Sequence, residues 1–399
     1  MGQYSSKNEE KEKDEEKEED EEKEKNEEKE EDEEKEKDEE KEKDEEKEKD
    51  EEKEKDEEKE KDEEKEKKKV KGKNEFLKYC SYNSQGFKKS NYNTFLSKIS
   101  QGKEKNYDLF CIFVGNNGGE VSKFINKHFY LELLKNIDKN NLEIKYAIMK
   151  TFLHMNKLME KSESKKEILQ LRLSNLEEEK KKQKKIIDEY DSKNETSYSE
   201  VEEILNYTGC SACLILIDEK SKKLYFGNLG NTEVIICGKK KERHDDSEIN
   251  KKENEPIILS SNHKPTEESE KTRIGKELGL IINDKLYGIL NTTRGFGNFA
   301  SIKGNEYSQL SNKIFSDEPD ILEYDLKEDD EYIFMGTESI IECIDKKKFQ
   351  EIIKDDISET LDNIIKDNIS SNFYNNDTEF GFDNITCTLI QIKKDKKNE

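Results

Sequence analysis

Between Asn8 and Lys67 the chain carries no apolar side chain; from Phe76 onward apolar residues arrive in short, periodic runs. Leu109 to Val114 is a continuous apolar run, as in a strand buried on both faces. Over Glu120 to Lys135 follow Val121, Phe124, Ile125, Phe129, Leu131 and Leu134, the spacing of an amphipathic helix. A second helical pattern starts near Leu142, passes through Phe152 and Met159, and continues over Ile168, Leu171 and Leu176. Strands are expected at Cys213–Ile217, Lys223–Leu229, Glu233–Cys237, Leu286–Leu290, Tyr332–Met335 and Ile385–Ile392. Helices are expected over Pro265–Leu278, Lys348–Ile353 and Ser358–Ile369. Segregated strands with helices between them predict an α+β layered fold rather than alternating β-α-β units.

The polar segment repeats a hexapeptide, written E-E-K-E-K-D at Glu51 to Asp56. In one helical repeat as many i,i+3 and i,i+4 charge pairs attract as repel, so contributions of ~0.2–0.5 kcal/mol each nearly cancel. With no apolar face to bury, residues 8–70 are expected to be solvated and extended, an isolated charged helix being the alternative. A period of six does not match the coiled-coil seam. The first 70 residues hold 21 Lys and 40 Asp or Glu, a net of −19 that leaves only −6 of the chain's −25 to the remaining 329. The acidity therefore belongs to the tail, and no nucleic-acid partner is expected. Residues 76–395 are long enough for one large domain, with charged insertions at about 162–200 and 239–255.

No run of eighteen apolar residues exists, and no charged start leads into an apolar stretch, so neither a spanning helix nor secretion is expected. Seven scattered cysteines fit reduced, buried residues of a cytoplasmic protein. Residues 1–7, Met1 to Lys7, fit an N-myristoylation pattern with Gly2 as acceptor; a chance match to a loose pattern is the alternative. One acyl chain followed by acidic residues would give only weak, reversible membrane attachment.

Phe113-Val114-Gly115-Asn116-Asn117-Gly118-Gly119-Glu120 joins a strand to a helix, a tight turn that by itself could cradle an anion or simply connect two elements. Gly227 to Thr232 reads as a hairpin turn, and Asn262-His263-Lys264-Pro265 precedes a helix. Thr293 to Asn298, Asp317 to Asp320, Tyr332 to Glu342 and Asp383-Asn384-Ile385-Thr386 complete a series. Cys210 and Cys213 form a C-x-x-C, but three-residue spacing in a strand sends the side chains to opposite faces, so packing is favoured over redox or zinc chemistry.

In this order and spacing the series, with Gly209-Cys210-Ser211-Ala212, resembles the type 2C protein serine/threonine phosphatases, the PPM family of metal-dependent phosphatases, over roughly Tyr79 to Lys393. The resemblance implies two packed antiparallel β-sheets flanked by helix pairs, an α-β-β-α sandwich, with a two-metal site for Mg or Mn at one end. Two such ions activate a water and clamp the phosphoryl oxygens, which requires several anionic oxygen ligands.

Carried over residue by residue, the resemblance places the early-loop acid at Asn93, the bridging Asp at Val114, the motif His at Asn116 and a further acid at Asn231. The phosphate-binding Arg falls on Lys88, which keeps the charge and loses the planar fork. Asp383, Glu338 and the Gly115 carbonyl remain as residual metal candidates, with Glu342 as the second acid of its motif. The expected protein is a degenerate member, a pseudophosphatase without bound metal that serves as a binding or regulatory module. Its partners would be proteins, basic or phosphorylated. A weak phosphatase using Mg or Mn, and a protein whose acidic tail does the binding, are the two alternatives.

Overall fold

The computed structural model describes residues 68–86, 90–102, 106–139, 143–184, 205–238, 255–260, 262–298, 314–372 and 383–393. Gly2, the repeat up to Lys67, Lys88 and nearly all of the insertion read at 239–255 lie outside the described residues. Everything below concerns the unit that follows the tail.

Strands β1 (Lys68–Lys73), β2 (Leu77–Ser84), β3 (Thr94–Gln101) and β4 (Tyr107–Asn116) lead into helices α1 (Glu120–Leu134), α2 (Ile144–Met159) and α3 (Ser162–Lys184). Next come β5 (Gly209–Asp218), β6 (Lys223–Leu229), β7 (Thr232–Cys237), β8 (Ile257–Ser260) and α4 (Glu268–Lys276). The short β9 (Ile281–Ile282), β10 (Lys285–Leu286) and β11 (Phe296–Gly297) precede β12 (Asp320–Asp325) and β13 (Tyr332–Thr337). Helices α5 (Glu338–Ile341), α6 (Phe349–Ile352) and α7 (Ile357–Asn372) separate β13 from β14 (Ile385–Ile392).

One sheet has the order β1-β2-β14-β13-β7-β8 and the other β12-β6-β5-β4-β3, with β11 added beside β5. Every pairing between these strands is antiparallel. Period-two alternation explains why β4 reads as an unbroken apolar run. Phe110 and Ile112 face the layer between the sheets, where they meet Ile215, Phe226 and Met335. Leu109, Cys111 and Phe113 face α1 and α2 instead. Helices α5 to α7 cover the outer face of the other sheet through Phe349, Leu361 and Ile365. The result is the expected α-β-β-α sandwich, with ~1.5–3 kcal/mol from each fully buried Phe or Leu side chain. Cys210 joins the helix-facing layer and Cys213 the layer between the sheets, so the C-x-x-C cannot close on itself.

Three sequence expectations are corrected. Residues 68–70, read as the end of the repeat, belong to the fold, because Lys68 to Lys73 pair along β2 as an edge strand. The long helical pattern from Leu142 breaks after Met159; Lys161 N–H returns to the Leu158 carbonyl, and α3 starts at Ser162. The continuation over Ile168, Leu171 and Leu176 is helical as expected, but as the separate α3, with Ile168 fully buried. Leu286–Leu290 is not a strand: Tyr287 and Gly288 take positive φ (52° and 73°), and the chain turns back so that Leu286 bridges Leu290.

Candidate functional site

The motif positions gather at one end of the sandwich because the strand ends carrying them are neighbours. Asn116, the last residue of β4, lies opposite Gly209 at the start of β5. Thr337, the last residue of β13, lies opposite Thr232, next to Asn231. Ile385 lies opposite Ser84 and places Asp383 at the same end.

Tyr92 ties the early loop to this end. Its N–H donates to Asn384 Oδ1 (2.9 Å), and its carbonyl accepts from Ser122 Oγ. That carbonyl also explains Gly115: a Cβ there would collide with the Tyr92 oxygen and lie 2.6 Å from the Gly118 oxygen.

A web of amides and hydroxyls fills the position where the resemblance calls for acids. Asn93 is buried, and its Nδ2 donates to the Asn384 carbonyl (3.2 Å). Asn83 Nδ2 donates to the Asn93 carbonyl (3.1 Å), while Asn83 Oδ1 accepts from Asn91 Nδ2 (3.1 Å) and Thr386 Oγ1 (2.8 Å). Asn384 Nδ2 reaches the Gln85 and Ser90 carbonyls, and Ser339 Oγ donates to the Asn384 carbonyl (3.1 Å). A carboxylate at position 93 could not donate, so this web depends on the amide.

Val114 is held in the β4 ladder opposite Ser211 and packs against the layer between the sheets. Asn116 and Asn231 are half-buried, and Asp383 is exposed, accepting the Asn384 N–H on Oδ1 (2.7 Å). Glu338 opens α5, and Lys264 Nζ lies 2.5 Å from its Oε1 and 3.2 Å from Glu342 Oε1. Burial, and secondly the Glu342 carboxylate, push the Glu338 carboxyl above its ordinary range against the pull of Lys264. Among the described residues, no three His, Cys, Asp or Glu side chains converge as a metal-ligand set. The donors at this end, mostly neutral amides with one aliphatic side chain at the bridging position, do not fit two hard divalent ions.

The Gly-rich turn carries its own negative charge. Asn117 takes a left-handed φ of 57° and donates from Nδ2 to the Tyr207 carbonyl (3.1 Å). Glu120, the first residue of α1, is buried, and Arg172 Nη1 lies 3.2 Å from its Oε1. Its carboxylate at the helix N-terminus opposes an external anion there.

Two further motif residues are structural. Gly230 N–H donates to His263 Nδ1 (2.9 Å), which leaves the ring proton on Nε2, 3.1 Å from Asp320 Oδ2. Arg294, from the T-R-G-F-G motif, binds Asp320 Oδ1 (3.1 Å) and Glu270 Oε1 (2.6 Å). Although burial opposes its ionisation, Glu270 is held down to about 2 by hydrogen bonds from Arg273, Arg294 and Thr293.

Sequence reasoning missed the Lys264 pairing and the Asn384 web. The N-H-K-P and D-N-x-T motifs marked both neighbourhoods, but the partners are distant in the chain.

A family profile described as "Protein phosphatase 2C" matches residues 155–378. "Probable protein phosphatase 2C 6" of Paramecium tetraurelia is 25% identical, over 81% of this chain and 95% of its own length. "Probable protein phosphatase 2C 21" of Arabidopsis thaliana is likewise 25% identical, over 82% of this chain and 90% of its own. Serine-threonine phosphatase 2C from Toxoplasma gondii superposes with a TM-score of 0.54 at 13% identity, covering 82% of this chain and 99% of that one. A C. elegans sex determining protein gives 0.54 at 16% identity, covering 80% and 66%. At such identities the structures speak for the fold alone. On the matched profile and the shared architecture, the chain belongs to the protein phosphatase 2C family.

Proposed function

We propose that this family member is catalytically impaired and acts as a binding or regulatory module. The observation that carries the reading is Val114, an aliphatic side chain locked in the β4 ladder at the position of the bridging acid. The hydrogen bond that Asn93 donates, where an acid would have none to give, supports it from another side. Losses of indirect ligand partners alone cost about 10–100-fold in metal affinity or activity, and here direct ligands are replaced. The folded domain would serve as the scaffold. The acidic tail adds an electrostatic lure for basic protein partners, and an acyl chain on Gly2 would add weak membrane attachment.

The test is hydrolysis of a phosphothreonine peptide and of an aryl phosphate by the full chain with Mn or Mg, beside Asp383→Ala. Background rates in both proteins are expected. Metal-dependent turnover that Asp383→Ala abolishes would instead identify a weak phosphatase using the residual candidates Asp383, Glu338 and Gly115.

A further inference from the structure

We propose that the outer face of the β9–β10 hairpin is a docking surface for a second copy of this chain, forming a two-fold dimer.

Alternation within the hairpin defines the face. Ile282 pairs with Lys285 and Ile281 with Leu286, across a turn whose Asn283 and Asp284 are left-handed (φ 51° and 61°). The Tyr287 N–H extends the pairing to the Leu280 carbonyl (2.9 Å). Ile281 and Leu286 point inward, packed with the helix-facing layer. Leu280, Ile282 and Tyr287 therefore share the outer face with Lys285. Such a face is ordinarily polar; here it is apolar. Leu278 and Ile289 flank it, 80% and 71% exposed. Five of the twelve exposed large apolar side chains among the described residues thus lie within residues 278–290.

Two of the five stand where the backbone disfavours them. At the end of α4 the Leu278 N–H donates to the Gly275 carbonyl (3.2 Å) and the Gly279 N–H to the Ile274 carbonyl (2.9 Å). Leu278 takes a left-handed φ of 59° in this cap, the position that glycine ordinarily fills. Tyr287, at 52°, also holds a conformation suited to Gly or Asn. Leu278 gains little burial in return within one copy, which points to burial in an assembly.

Size and charge select the occupant. The five side chains expose on the order of 500 Å2, at the upper end of what a monomer carries. With their rim they approach the ~800 Å2 per partner of a standard interface. That rim holds both signs, Lys276 and Lys285 beside Glu277 and Asp284, so it matches itself better than a partner of one sign. A two-fold axis brings the same patch to both sides of the contact and lets Lys285 of one copy meet Asp284 of the other. The acidic tails repel one another, so salt that screens them strengthens the association.

The experiment is sedimentation equilibrium of the full chain up to several hundred micromolar, in about 0.15 M and about 0.5 M salt. A monomer–dimer equilibrium is expected, with a dissociation constant on the order of 10–100 µM, weak for its area, and tighter at the higher salt. Ile282→Lys and Ile289→Lys should each weaken the dimer about tenfold or more and melt like the unsubstituted chain. Leu131→Lys, exposed on α1, should leave the association unchanged. Leu278→Gly carries the sharpest signature: it relieves the left-handed leucine and melts higher, yet its dimer is weaker.

A chain that stays monomeric at both salts overturns the proposal. An apolar dye bound by that monomer and lost in Ile289→Lys would then assign the face to a different protein; no dye binding would mean that the same chain covers it. A dimer that survives both lysine substitutions sits elsewhere and overturns the proposal equally. Should Ile282→Lys not fold, Ile289→Lys and Leu278→Gly decide between the same outcomes.

Discussion

Two regions of the sandwich settle the same problem, carboxylates held close together, in different ways. At the candidate site Glu338 and Glu342 share one lysine. Where β4 begins and β5 ends, Asp108 and Glu219 are held on an amide. Asn74 Nδ2 lies 2.9 Å from Asp108 Oδ1 and 2.7 Å from Glu219 Oε1. The amide cannot be turned over, because Asn74 Oδ1 accepts the Phe76 and Leu77 N–H groups. Burial and the Asp108 carboxylate push Glu219 up to about 7, so this pair is compensated by a proton. The lesson is that the site end sets a lysine between its carboxylates, whereas the far end relies on an amide and a proton.

A third region sets the scale for the largest effect. Glu270 is compensated by two guanidinium groups, and Glu270→Ala would leave Arg294 and Arg273 facing a vacated, mostly buried position. A loss of about 3 kcal/mol is expected in denaturant midpoints, well above anything at the candidate site. Its pH signature is acidic. The folded-state value near 2 lies below the ordinary carboxylate value, so the contribution is complete above about pH 4.5 and disappears as pH falls toward 2.

Gly115→Ala comes next: its Cβ meets two backbone oxygens that cannot move aside, and about 2 kcal/mol of destabilisation is expected. Asn93→Asp sharpens the account of the site itself. It restores an acid but forfeits the bond donated to the Asn384 carbonyl, so a melt without metal should show a loss of about 1–2 kcal/mol. A stability gain on adding Mn2+ to that single variant would contradict the view that Val114 blocks the centre.

The smallest effect lies at the far end. The raised Glu219 pKa makes its stabilisation present below about pH 4.5 and lost as pH rises through about 7. Glu219→Gln should flatten that slope in urea melts and stabilise the chain at pH 8 by about 1 kcal/mol, discounted because Glu219 is partly solvated. An unchanged slope would mean that the two carboxylates do not share a proton.

Much of the sandwich was legible because its strands are buried on both faces. β4 announces itself by the unbroken apolar run Leu109 to Val114, β6 and β14 as short segments rich in apolar residues, and α1 as a clean helical spacing. β1 was not legible: Lys68 to Lys73 offers one apolar residue, Val70, and becomes a strand only by pairing with β2. β12 was hidden likewise, as an edge strand whose Leu322 and Glu323 remain exposed. The site's location was legible from motif order, which the chain preserves. Its present chemistry was not, because Asn93 with Asn384 and Lys264 with Glu338 are brought together only by the fold.

The most direct test of the central claim is anomalous diffraction from crystals of the full chain soaked in manganese. The account predicts no ordered manganese between Val114, Glu338 and Asp383. A pair of anomalous peaks there, a few ångströms apart, would contradict it.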